Sequence, residues 1–80
     1  MNEVEKKWTE YAKKYLVGRT ITKVHYLSED ECDEMDWRKR PLLIVLDNGT
    51  MLFPSQDDEG NDGGALFGQA GKVELTFPVL

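Results

Sequence analysis

Val4, Trp8, Tyr11, Ala12, Tyr15 and Leu16 recur at the spacing of a single helical stripe. The stripe predicts an amphipathic N-terminal helix that covers one face of a sheet. Asn2 stands where an N-cap belongs, and Glu5, three residues on, can complete a capping box that satisfies orphan amides. Glu3 with Lys7, and Glu10 with Lys14, form i,i+4 pairs in the better order. Lys13 and Lys14 suit the negative end of the helix dipole, and Gly18 suits a left-handed residue just past the end.

Beyond Gly18 the period changes. Arg19 to Leu27 is rich in Thr, Ile, Val and Tyr and reads as a strand. Ile21 and Leu27 share one parity, Val24 and Tyr26 the other, a pattern produced either by a bulge or by burial on both faces. Ser28 opens a second capping signature with Glu31, predicting a short helix from Glu29 to Met35 with Cys32 and Met35 on one side. Leu42 to Leu46 is apolar throughout, as a central strand would be. Asn48-Gly49 is the favoured pair for a two-residue type I′ turn, which sets Leu46 opposite Met51, Val45 opposite Leu52 and Ile44 opposite Phe53. Pro54, with no amide to donate, ends that pairing. Val73, Leu75, Phe77 and Val79 alternate with polar residues or Pro78, giving a last half-buried strand whose Pro78 end lies at an edge.

The pattern predicts one α+β domain over residues 1–80. In it, the N-terminal helix packs on a curled four-stranded antiparallel sheet approaching a small barrel, with the short helix between strands one and two. Eighty residues bury only about 60% of the surface their unfolded chain exposes, so self-association, as a homodimer, is expected. Cys32 is the single cysteine, which excludes an internal disulfide and fits a reducing cytoplasm. The opening MNEVEKKW has no apolar run behind its lysines, so neither a secretory signal nor a membrane span is expected.

Charge narrows the partners. The net value of −5 argues against non-specific nucleic-acid binding, which needs Lys and Arg to neutralise phosphates. Residues 28 to 36 carry six acidic groups and no basic one, followed by the basic trio Arg38, Lys39 and Arg40 beside Trp37. These opposed fields nearly cancel locally and disfavour single-strand binding. Trp37 is either a cap over the core or an exposed interface anchor, where Trp and Arg are enriched.

The segment Ser55 to Gly64 concentrates four carboxylates and three glycines, and its Gly and Asn residues imply several positive-φ positions. Such a loop suggests a hard-cation site using Asp57, Asp58, Glu59 and Asp62, since Ca²⁺ and Mg²⁺ take converging oxygens. The calcium-hand template fails in either frame: from Asp58 it puts Gly60 where a ligand belongs and Gln69 where Glu belongs, and from Asp57 it puts Asp62 where glycine is needed. The plainer reading is a turn whose Asp and Asn side chains bond their own backbone, and no cofactor is expected. A small enzyme with a loop-borne site, built on His25 and a loop carboxylate, is the other alternative. No nucleophile-elbow or phosphate-loop spacing surrounds Ser55 or Cys32, and the acidic neighbours of Cys32 disfavour its thiolate.

The string DNGTMLFPSQDDEGNDGGALF, Asp47 to Phe67, resembles small single-domain proteins of bacteria and their phages, and the similarity extends back through Leu16 to Arg19 and Trp37 to Leu46. The resemblance carries no activity. It implies that Phe53 to Phe67 is a shared signature and an interaction site, and a phage source would favour a host-directed regulator. The expected function is therefore a non-enzymatic cytoplasmic module that binds a protein partner through Trp37, Arg38 and Arg40 with Ser55, Gln56, Asp57, Asp58, Glu59, Asn61 and Asp62.

Overall fold

Asn2 caps the first helix, α1 (Glu3–Leu16), by accepting from the Glu5 amide at 2.8 Å, while its own side-chain amide donates to Glu5 Oε1 at 3.4 Å. The computed structural model describes residues 2–80. The expected i,i+4 pairs are absent from it. Glu10 instead meets Lys13 at 3.8 Å, while Lys7 and Lys14 lie 5.5 and 5.3 Å from the ring centroids of their neighbours Trp8 and Tyr15. An ammonium on a ring face gains from the ring quadrupole, and this competes with an exposed ion pair of little value.

After Gly18 (φ 78), strand β1 (Ile21–Tyr26) pairs antiparallel with β2 (Leu42–Leu46), and a bulge between Ile21 and Lys23 accounts for its broken alternation. Helix α2 (Glu29–Glu34) starts on the full reciprocal Ser28–Glu31 capping box and buries Cys32. Strand β2 is central, as its apolar run requires, with β3 (Met51–Leu52) on its other side. Strands β4 (Leu66–Ala70) and β5 (Val73–Phe77) form a separate hairpin.

Three expectations are corrected. The sheet is not one curled four-stranded unit but a three-stranded sheet, β1-β2-β3, and a two-stranded one, β4-β5. Strand β4 contains Gly68, Gln69 and Ala70 and no β-branched residue, so Phe67 alone gives it only a weak propensity signal. Pairing with β5 through a two-residue turn led by Gly71 (φ 62) makes it a strand.

The β2–β3 register is also displaced by one residue: Ile44 faces Leu52 and Val45 faces Met51. The loop is three residues long. The Gly49 amide returns to Leu46 O at 3.0 Å, Leu46 N donates to Thr50 O at 2.9 Å, and only Gly49 (φ 85) is left-handed. Asn48 keeps negative φ because its side chain accepts from Thr50 N at 3.1 Å. This is the type I turn with a glycine bulge, not type I′.

Finally, α1 does not cover the sheet. None of its residues is buried, and Trp8 and Tyr11 are each 57% exposed. The core lies elsewhere: Leu27, Cys32, Trp37 and Leu43 form the buried cluster with Val45 against it, and Pro41 is fully enclosed. Among the described residues no helix is long and apolar enough to cross a membrane.

Candidate functional site

The 55–64 loop is bolted to the segment that follows α2. Asp62 does most of the fastening: its Oδ1 accepts from the amides of Arg38 at 3.0 Å, Lys39 at 2.9 Å and Gly63 at 2.8 Å. These amides, Lys39 first, hold the Asp62 carboxyl below the ordinary range, because each bond favours the charged form. The Trp37 indole N–H donates to Gly60 O at 2.7 Å, and its ring meets Phe53 edge-on at 5.7 Å. Trp37 is only 6% exposed. Of its two expected roles it takes the core one, supporting the loop from beneath.

Inside the loop, Asp57 acts as a second hub. Its carboxylate accepts from the amides of Glu59 and Asn61 at 3.0 and 3.2 Å and from Asn61 Nδ2 at 2.9 Å. The Asn61 side chain is the leading cause of the lowered Asp57 pKa. The loop's stem is closed by a bridge between Ser55 and Gly63, with Gln56 N donating to Asp62 O at 2.9 Å and Gly64 N to Pro54 O at 2.9 Å. The Ser55 hydroxyl donates to Asp62 O at 3.1 Å. At Gly63 there is no room for a side chain: a Cβ would stand 2.5 Å from Lys39 O and 2.7 Å from Pro41 Cδ.

The outward face is different. Gln56, Asp58, Glu59 and Arg38 are exposed, and Asp58 forms neither a hydrogen bond nor an ion pair among the described residues. Arg40 is half-buried, its Nε donating to Leu27 O at 2.7 Å, so it ties the β1 end to the loop's support. Arg38, Arg40, Asp33, Asp36 and Leu80 share a surface hollow of about 470 Å³ with charges of both signs.

The geometry also shows what the alternatives have to work with. Asp57 and Asp62 spend their oxygens on different sets of backbone amides, and among the described residues no group of three or more His, Cys, Asp or Glu is placed to hold a metal. His25 Nδ1 lies 3.0 Å from the carbonyl of its neighbour Tyr26. Burial pushes the Cys32 thiol up, away from the reactive thiolate, and Sγ donates weakly to Lys39 O at 3.8 Å. The expected contact residues leave out Lys39, whose backbone receives the loop, Phe53, whose ring meets Trp37, and Gly63. Only Gly63 had a signal, as the middle of Asp-Gly-Gly, and that signal does not specify what would be met there.

No family model matches the chain, and neither the known proteins nor the solved structures compared with it give a match.

Proposed function

We propose that this chain is a small, non-enzymatic protein-binding module. In this reading the 55–64 loop and Arg38 form a preset acidic contact surface for a partner with complementary basic groups. One observation carries it. Asp57, Asp62 and Trp37 fix the loop's backbone from below and within, while Asp58 and Glu59 stay in solvent, Asp58 with no partner among the described residues and Glu59 accepting only a long 3.4 Å bond from Asn61 Nδ2. A loop ordered in advance does not lose that entropy on binding, which is how a short segment achieves useful affinity. Complementary charge on the partner adds association rate and specificity. A regulator directed at another protein, including a host-directed one, is the class of role such a surface serves.

The test is affinity capture with the tagged full chain and with a double variant, Asp58→Lys with Glu59→Lys. The captured protein should be lost from the variant while Tm stays unchanged, since neither carboxylate fastens the loop to its support. Retention of the same protein by the variant would sink the reading.

A further inference from the structure

The aromatic face of α1 is a feature that the loop does not explain. Trp8 and Tyr11 meet edge-on at 5.4 Å, and Tyr11 and Tyr15 meet at a tilt at 5.1 Å, so three rings stand in a row along the helix. Val4 is 65% exposed and Leu16 41%. Beside the row runs a groove of about 330 Å³ between the second half of α1 and β3, lined by Tyr11, Ala12, Tyr15, Leu16, Thr50 and Leu52.

The amount of exposed surface says what is missing. A folded monomer of 9.2 kDa exposes about 4,900 Å² by the usual scaling with mass, whereas this chain exposes 6400 Å². The excess of about 1,500 Å², to which the exposed β4-β5 hairpin also contributes, falls within the roughly 1,000–2,500 Å² that each subunit of an obligate homodimer covers. The Cα radius of gyration, 14.1 Å against about 11.6 Å for a compact chain of this length, points the same way.

We propose that the face is covered by a second copy of this chain, with the two α1 helices antiparallel about a two-fold axis. The face is self-complementary, as a two-fold interface demands: it carries both a protruding indole and, one turn further on, the groove to receive it. Aligning Trp8 with the second copy's Tyr11 also sets Val4 on its Tyr15, because both pairs are centred on the same point of the helix. Trp8 then enters the second copy's groove over Tyr11 and Leu52, and the relation repeats in reverse. This surface is separate from the acidic loop and stands or falls independently of the function proposed for it.

Sedimentation equilibrium of the full chain at roughly 0.1 mM decides the matter, since a functional homodimer is saturated there. The expected mass is twice 9.2 kDa, and Trp8→Glu and Leu52→Glu should each reduce it to the single-chain value. Trp37 is the only indole left in Trp8→Glu, so its blue-shifted emission reports whether the core survives dissociation. Wild-type Tm should rise with protein concentration, because association stabilises only the folded state. A single-chain mass for the wild type overturns the proposal and leaves the face to a different protein. A dimer that persists in both variants, or a Tm independent of concentration, overturns it equally.

Discussion

At Gly63 the absence of one carbon decides whether the loop can dock. Gly63→Ala drives a methyl into the backbone of Lys39, which has no rotamer with which to escape. We expect it to destabilise the protein by about 1–3 kcal/mol, the usual cost of overpacking, seen as a lower urea midpoint. Gly68→Ala is the control. Its Cβ would touch only Leu75 side-chain atoms at 3.8 Å, so the same substitution should be neutral or stabilise by about 0.5–1 kcal/mol. Acid should undo the loop through Asp57 and Asp62. Their folded pKa values lie below the ordinary 3.8, so their contribution is complete above that pH and is lost as pH falls through the depressed values. Thermal melts should therefore weaken below about pH 4, and Asp62→Asn should flatten that dependence. An Asp62→Asn melt as acid-sensitive as the wild type would show that ionisation of Asp62 does not set the acid dependence.

Among the elements, the β2–β3 hairpin shows how a strong local signal can be read one residue out of place. Asn-Gly fits the left-handed pair of a type I′ turn, yet Asn48 also has a side chain that can reach the Thr50 amide, and here that bond prevails. The two outcomes differ in a measurable way. Gly49→Ala should cost roughly 1–2 kcal/mol, because alanine is strained at φ 85. Asn48→Gly, which a type I′ turn would accept without loss, should instead destabilise by about 0.5–1.5 kcal/mol through the lost bond. An Asn48→Gly chain as stable as the wild type would contradict the observed turn. The helices were more legible. The Ser28–Glu31 box and the Asn2 cap each lie within four consecutive residues, where sequence spacing alone fixes distance. Strand β4 was not legible, since pairing with its partner supplies the conformation that Gly68, Gln69 and Ala70 do not favour.

For the whole molecule, the exposed α1 and the free-standing β4-β5 hairpin leave a core of few residues, centred on Trp37. A two-stranded hairpin is marginal in water by itself. Here the chain beyond β5 is tied back by the paired bonds between Leu80 and Arg40, each 3.0 Å. The sequence by itself determined the capped helices, the central place of β2 and the position of the acidic loop, because each depends on neighbours within a turn or on an unbroken apolar run. Only the tertiary structure decided that Trp37 lies beneath the loop, that Asp62 fastens it to Arg38 and Lys39, and that the α1 stripe faces solvent. Those outcomes depend on which distant backbone groups meet, across more than twenty residues of chain in the case of Asp62. Amphipathic spacing marks a face for burial without naming what will cover it.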